Sequence, residues 1–127
     1  RSTQAKTLFP YTTLFRSLEP EAEWWLDCIT SNSLAGSDWE GTLPPMIPTN
    51  RMRSAFEHWA RGRNIRSRLP GRNDFLKELQ AMAPSMAKVK ARPDDPEDST
   101  YSYRNPGLEL LRGDWDRWIG GKHDWNI

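Results

Sequence analysis

Apolar side chains recur at helical spacing within residues 52–60, and this repeat constrains the fold more than any other feature of the sequence. The repeating residues fall at positions i, i+3, i+4, i+7 and i+8, which form one continuous face of an α-helix. They are Met52, Ala55, Phe56, Trp59 and Ala60. Thr49 or Asn50 is a suitable N-cap for this helix, and Gly62 is a suitable end. Because such a helix is stabilised mainly by packing of its apolar face, the pattern predicts a helical domain with a shared core.

Composition limits the chain to one small, polar domain or a fragment of a larger protein. Its 127 residues are 36% hydrophobic and 28% charged, which excludes a multidomain enzyme. Seven tryptophans are enough to anchor a core of modest size. The single cysteine, Cys28, excludes an internal disulfide framework and fits a reducing compartment, and no apolar run approaches the length of a transmembrane helix. We therefore expect an intracellular protein without a membrane partner.

The first seventeen residues differ in origin from the rest of the chain. Residues 7–17, TLFPYTTLFRS, are identical to the first-frame translation of a common short-read sequencing adapter, and eleven consecutive matches do not arise by chance. We expect residues 1–17 to be an adapter-derived or disordered tail that is not native, a natural polar tail being the alternative. They hold three bases and no acid, so the net charge of +1 becomes −2 for residues 18–127. We also expect the original reading frame to extend upstream of Leu18.

Three further helices are predicted from periodicity and from the residues that begin and end helices. Residues 18–29 place Pro20 in the first turn, followed by acidic and apolar residues at helical spacing. Residues 73–82 form a short amphipathic helix between two proline-containing turns. The last helix has Asn105 as its cap and ends before Gly120. Its expected buried face consists of Leu108, Leu111, Trp115, Trp118 and Ile119.

The remaining segments indicate a connecting loop and a hairpin. Residues 31–48 form a loop ending in a short extended piece, and residues 86–92 and 100–104 show the alternation of β-strands. The predicted fold class is mostly α with a small β-hairpin, in the order of a winged helix-turn-helix flanked by N- and C-terminal helices. Residues 18–35 are then the N-terminal helix and loop, 36–104 the winged helix-turn-helix, and 105–127 a Trp-rich C-terminal helix and tail.

Positive charge is concentrated in the middle of the chain. Residues 51–92 contain eleven bases and three acids, a local net charge of +8, which leaves −7 for the rest of a chain whose total is +1. Such a segment is the usual electrostatic footprint of phosphate binding, although phosphate contacts carry no sequence specificity. The alternative is a solvated basic face paired with nearby acids. Those acids are Asp94, Asp95, Glu97 and Asp98.

Residues that could carry catalysis or bind a metal are few. His58 and His123 are far apart and accompany one cysteine, which falls short of any zinc-binding pattern. The chain has no GxxxxGK[ST] motif to hold a nucleotide phosphate. Asp114, Asp116 and Asp124 alternate with tryptophans, which is typical of the polar positions of an amphipathic segment rather than of metal ligands. We expect no catalytic residue, metal site or cofactor in this chain.

The chain resembles the C-terminal region of phage and plasmid primase/helicase proteins. The resemblance covers residues 18–127 and lies in the segments EAEWWLDCI, GSDWEG, IPTNRMRSAFEHWARGR, GRNDFLKELQAM and PGLELLRGDWDRWIGGKHDW, together with the basic hairpin. Its most specific parts surround Trp59, the pair Phe75 and Leu79, and the closing Trp115. Proteins of this family carry a primase-polymerase module and a superfamily-3 type ATPase upstream and end in a winged-helix domain. The family's Walker residues, arginine finger and primase acids have no counterpart in this chain.

The resemblance implies a non-enzymatic accessory domain that binds the phosphate backbone of template or origin DNA and holds it for the upstream ATPase. It also implies a phage- or prophage-encoded parent protein that forms an oligomeric ring in the bacterial cytoplasm, with ATP and Mg²⁺ bound by the upstream module. The expected DNA-binding residues, hereafter the predicted set, are Arg66, Arg68, Arg72, Asn73, Lys77, Lys88, Lys90, Arg92 and Arg104. The expected core residues are Trp25, Phe56, Trp59, Phe75, Leu79, Leu111 and Trp115.

Two other functions are consistent with the sequence. The chain could be a protein-interaction cap that docks on the upstream ATPase through the helix carrying Trp24 and Trp25 and through its C-terminal tryptophans. It could also be a fragment of a stand-alone winged-helix DNA-binding regulator. A Walker motif in the upstream reading frame excludes the regulator, and negligible DNA affinity favours the cap.

Overall fold

The computed structural model describes residues 19–65, 69–90 and 98–121 and residue 125. Its elements are, in chain order, α1 (Pro20–Ser31), β1 (Met46–Pro48), α2 (Thr49–Gly62), α3 (Arg72–Met82), β2 (Ala87–Lys90), β3 (Tyr101–Arg104) and α4 (Leu108–Ile119). The described chain is therefore mostly helical with a small antiparallel sheet, and the predicted predominance of helix is confirmed. Residues 1–17, the expected adapter-derived tail, lie outside the described residues.

The sheet has three strands where the sequence indicated a hairpin and a separate extended piece. The strand order is β1-β3-β2, so the third strand in sequence lies in the middle. Ile47 of β1 is opposite Tyr103 of β3, and Lys88 of β2 is opposite the same tyrosine on the other side. The short piece at Met46 and Ile47 therefore completes the sheet and joins the hairpin to the start of α2.

Two predicted helix caps are wrong. Helix α2 begins at Thr49 itself, directly after β1, and neither Thr49 nor Asn50 caps it with a side-chain hydrogen bond. Both side chains instead bond to Ser99, which precedes β3. Helix α4 begins at Leu108, because the Asn105 side chain accepts a hydrogen bond from the Gly107 N–H at 2.9 Å and forms a turn before the helix.

One buried cluster receives side chains from all four helices and from the sheet. All seven expected core residues are buried within it, which confirms that prediction. At its centre the Trp24 ring lies 5.9, 5.8 and 5.6 Å from the rings of Trp25, Phe56 and Phe75. Trp118, expected on the buried face of α4, is 36% exposed.

The loop between α1 and β1 crosses α2 at close range. Gly36 adopts a φ of +87°, and a Cβ added there would lie 2.2 Å from the Ala55 carbonyl oxygen. The ring Nδ1 of His58 lies 2.7 Å from the Gly36 carbonyl oxygen, and Trp24 donates its indole N–H to the Ala35 carbonyl at 2.8 Å. The loop thus packs directly on the helix backbone at the one position where a side chain has no room.

No helix within residues 19–65, 69–90 and 98–121 combines the length and the apolar character needed to cross a membrane.

Candidate nucleic-acid interface

Six of the nine residues in the predicted set are described, and all six are exposed. Arg72, Asn73 and Lys77 lie on α3, Lys88 and Lys90 on β2, and Arg104 at the end of β3. The other three, Arg66, Arg68 and Arg92, lie outside the described residues. The described part of the set therefore divides between the start of α3 and the hairpin.

Helix α3 alone is not a basic surface. Its buried face consists of Phe75, Leu79 and Met82. Its exposed residues include Arg72 and Lys77, but also the acids Asp74 and Glu78, so its cations and its anions are equal in number. The positive excess of the central segment must therefore come from the turn before α3, from α2 and from β2.

The hairpin places its cations on two different faces. Lys88 and Lys90 are two residues apart on β2 and share a face, opposite Tyr103 and Tyr101 respectively. Arg104 is opposite Ala87 and adjacent to Tyr103, so its side chain leaves the other face of the sheet. The sequence grouped these three cations together, whereas the register separates Arg104 from the two lysines.

Most of the described arginines outside the predicted set have partners within the fold. Arg51 pairs with Asp98 at 2.5 Å, and Arg63 lies 3.5 Å from Asp27 and over the Trp59 ring. Arg53 makes several interactions within the fold. It pairs with Glu57 at 3.1 Å and donates to the Pro70 carbonyl at 2.7 Å, and its guanidinium lies 5.5 Å from the ring centres of both Phe56 and Phe75.

The two arginines of α4 likewise have structural partners. Arg112 donates to the carbonyls of Ile29 and Thr30 at 3.0 and 3.3 Å, which ties α4 to the end of α1. Arg117 forms an ion pair with Asp114 one turn earlier on the same helix. Both guanidinium groups therefore have partners within the fold.

The cations of the predicted set behave differently. Within the described part of the chain, the side chains of Arg72, Lys77, Lys90 and Arg104 make no hydrogen bond or ion pair, and Lys88 contacts only the Tyr101 ring, at 5.0 Å. We call these five residues the open cations. The solvated alternative predicted that nearby acids would neutralise them. Of those acids, Asp98 pairs with Arg51, whereas Asp94, Asp95 and Glu97 lie outside the described residues.

Sequence reasoning missed one cation with the same properties. Arg61 is exposed near the end of α2 and has no side-chain partner among the described residues. Its signal was available, because it falls outside the apolar stripe of that helix.

Asp114 is buried, although its position between tryptophan-rich segments indicated an exposed polar residue. It is 1% exposed and accepts hydrogen bonds from the Ser85 backbone N–H at 2.7 Å and from the Ser85 hydroxyl at 3.0 Å. Asp116 accepts a hydrogen bond from the Trp125 indole at 3.2 Å, and Asp124 lies outside the described residues. Asp114 therefore fastens the turn between α3 and β2 to α4, which fixes where the hairpin begins.

The cysteine and histidine side chains described in the structure do not form a reactive or metal-binding group. Cys28 is fully buried, and that burial raises the pKa of its thiol well above the ordinary value. His58 is exposed on α2. Among the described residues no three His, Cys, Asp or Glu side chains are grouped so as to hold a metal ion.

Helix α1 carries two buried polar side-chain atoms without hydrogen-bond partners among the described residues. Glu21 and Trp25 are one turn apart and are 6% and 0% exposed, and neither Glu21 Oε1 nor Trp25 Nε1 has a hydrogen-bond partner in the described part of the chain. Burial raises the pKa of the Glu21 carboxyl above its ordinary 4.5, and the carboxylates of Glu19 and Glu78 act in the same direction. Ionisation of Glu21 therefore opposes folding.

We expect Glu21→Gln to stabilise the protein by about 1 kcal/mol at neutral pH, since it removes a buried charge. The folded-state pKa lies above that of the unfolded chain, so the contribution of Glu21 to stability is greatest below pH 4.5 and falls as the pH rises through the folded-state pKa. Urea unfolding of both proteins near pH 4 and near pH 7 should show a difference that grows with pH. A variant less stable than the parent at neutral pH contradicts this expectation.

Comparison of the chain with protein-family models, with curated proteins and with solved structures gave no match. The resemblance to primase/helicase proteins therefore stays a prediction from the sequence.

Proposed function

We propose that this chain is a winged-helix DNA-binding accessory domain of a phage-type replicative primase/helicase, which holds template or origin DNA for an upstream ATPase. In this proposal the chain itself has no enzymatic activity, and ATP and Mg²⁺ belong to the ATPase. The order helix, strand, helix, helix and hairpin supports it, as does the sheet order β1-β3-β2, in which the first strand pairs with the returning strand of the hairpin.

The observation that carries the proposal is the separation of the cations by partner. Arg51, Arg53 and Arg63, which lie in the same basic segment, have carboxylate partners inside the fold. The open cations have none among the described residues, and they include both lysines of β2. Because unpaired surface cations on a small domain attract polyanions, this distribution supports phosphate binding.

The hairpin is also fastened firmly enough to present those lysines. Asp114 holds the turn that leads into β2, and Ser99, which leads into β3, bonds to both Thr49 and Asn50 at the start of α2. Cations on a fixed support lose less conformational freedom on binding than cations on a loose loop. This supports a role for the hairpin as the main phosphate contact.

Docking on the ATPase is the second candidate function, and one observation favours it. Leu110 and Trp118 on α4 are 52% and 36% exposed, which leaves apolar surface on that helix. By contrast, Trp24 and Trp25, the other expected contacts of a protein-interaction cap, are fully buried in the domain's own core. A stand-alone regulator would use the same open cations as the proposed accessory domain.

DNA titration of the full chain tests the proposal. The test variant is Arg72→Ala/Lys77→Ala/Lys90→Ala, which removes three open cations from exposed positions without removing a structural contact. The matched control is Arg1→Ala/Lys6→Ala/Arg16→Ala, which removes the same charge from the tail that we expect not to be native. Binding of labelled duplex and single-stranded DNA is measured at several salt concentrations.

We expect salt-dependent binding of DNA by the parent chain. The test variant should reduce the slope of log affinity against log salt on duplex DNA by about two to three units, about one for each lost phosphate contact. The control variant should change the slope by less than about one unit. Absence of binding at low salt overturns the proposal, and equal losses in the two variants overturn the assignment of the surface.

A further inference from the structure

Tyr101 is an exposed aromatic residue on the same face of the sheet as the buried Tyr103. Along β3, Tyr101 and Tyr103 are two residues apart and point to the same side of the sheet. Tyr103 is 2% exposed and lies in the core, whereas Tyr101 is 44% exposed. The same face therefore passes from buried core at Tyr103 to open surface at Tyr101, where packing does not require an aromatic ring.

Two lysines flank the Tyr101 ring on this face. Lys90 is directly opposite Tyr101 in the strand register, and Lys88 is its diagonal neighbour. The Lys88 ammonium nitrogen lies 5.0 Å from the ring centre, in cation–π contact. An exposed ring on β3 with two cations on the neighbouring edge strand β2, all on one face of the sheet, combines a stacking surface with groups that neutralise phosphate.

The backbone that carries Tyr101 is held in place. The Ser99 hydroxyl donates to the Tyr101 carbonyl at 2.8 Å and accepts from the Asn50 N–H at 3.3 Å. The Ser99 N–H donates to the Asn50 side chain at 3.0 Å, and Asp98 pairs with Arg51. The segment that enters β3 is thus attached to the first turn of α2, and the ring projects from a fixed point.

We propose that Tyr101, with Lys88 and Lys90, is a stacking site for an unpaired base of single-stranded DNA. This inference rests on the proposed function and adds to it the form of the DNA that the hairpin recognises. An aromatic ring stacks on a base only where the face of the base is free, and bases inside a duplex already stack on one another. Tyr101 should therefore contribute to binding of unpaired strands and not to binding of intact duplex.

The test compares Tyr101→Leu with Tyr101→Phe in the full chain. Leucine keeps an apolar side chain and removes the ring, and phenylalanine keeps the ring and removes the hydroxyl. Affinity is measured for a single-stranded oligothymidylate and for a blunt-ended duplex that has no unpaired bases. Thermal unfolding of both variants serves as the check on the fold, which an exposed side chain should leave unchanged.

For Tyr101→Leu we expect affinity for the single strand to fall about 5- to 100-fold, the effect of losing one stacked base. Affinity for the duplex should stay within about twofold, and Tyr101→Phe should stay close to the parent chain on both DNAs. The salt slope should not change, because no cation is removed. Photo-crosslinking to a strand carrying a halogenated uracil should attach at Tyr101.

Three results overturn the inference, and all differ from failure of the proposed function. They are equal losses on single strand and duplex, no loss on either, or a Tyr101→Phe variant as weak as Tyr101→Leu. In each case the parent chain still binds DNA through the open cations, and only the stacking role of Tyr101 is rejected. If the parent chain binds neither DNA, the proposed function itself is rejected and the inference is rejected with it.

Discussion

Gly36→Ala is expected to lower the free energy of unfolding by about 3 kcal/mol or more, a large fraction of the roughly 5–15 kcal/mol that stabilises a typical domain. Two costs act together at this position. The φ of +87° is a conformation that disfavours any side chain, and the added Cβ would lie 2.2 Å from the Ala55 carbonyl oxygen and 2.8 Å from the Trp59 Cβ. Both neighbours belong to α2, so neither can move without disturbing the helix.

The matched control is Gly41→Ala in the same loop. Gly41 also has a positive φ, +106°, but a Cβ added there meets nothing within 4 Å. Gly41→Ala should lower the free energy of unfolding by about 1–2 kcal/mol, the cost of a side chain at positive φ alone. Urea unfolding followed by circular dichroism measures both. Equal destabilisation by the two substitutions would show that the loop does not pack on α2 at Gly36.

Trp24→Ala is expected to have the second large effect and to lower the free energy of unfolding by about 3–5 kcal/mol. Trp24 connects three elements, because its ring packs on Phe56 of α2 and Phe75 of α3 and its indole N–H bonds to the Ala35 carbonyl. Truncation would leave a large cavity at the centre of the core and an unpaired carbonyl. The loss should appear as reduced stability before any effect on binding.

Trp39→Ala is the comparison for Trp24→Ala. Trp39 is 52% exposed and its indole bonds only to the Thr42 carbonyl within its own loop, so its removal should cost less than about 1 kcal/mol. Thermal and denaturant unfolding of both variants gives the contrast. If Trp24→Ala is as stable as Trp39→Ala, the Trp24 ring belongs to an interface rather than to the core, and the docking function gains support.

Local periodicity was sufficient to predict the helices. The stripe that ends at Ala60 predicted α2 to within a residue or two, and residues 73–82 correspond to α3, which begins one residue earlier. The sequence did not predict that β1 belongs to the sheet, because β1 has only three residues and one of them is Pro48. Its pairing is with β3, far away in sequence, and periodicity does not report on such contacts.

Side-chain partners were the least predictable feature. Asp114 sits at an ordinary position for an exposed acid on α4, and only its contact with Ser85, 29 residues away, makes it a buried acceptor. Thr49 likewise has the chemistry of a cap but bonds to Ser99, 50 residues away. Both outcomes depend on how distant segments meet, which a single sequence does not record.

For the candidate site, the sequence predicted that the cations are exposed but not which of them share a face of the sheet. All six described members of the predicted set are exposed, yet Arg104 leaves the opposite face of the sheet from Lys88 and Lys90. The register between β2 and β3 decides this, because it places Lys88 opposite Tyr103 and Arg104 opposite Ala87. The acids Asp74 and Glu78 on α3 move the centre of positive charge toward the hairpin.

The fastening of the hairpin has a mechanical consequence. Ser85 ties the entry of β2 to α4, Ser99 ties the entry of β3 to α2, and the Asn105 N–H after β3 bonds to the Pro45 carbonyl before β1. A pulling force on Lys90 is therefore shared among three anchor points in different parts of the domain. Under the proposed function, tension from a bound strand would pass through these bonds into α4, α2 and the segment before β1.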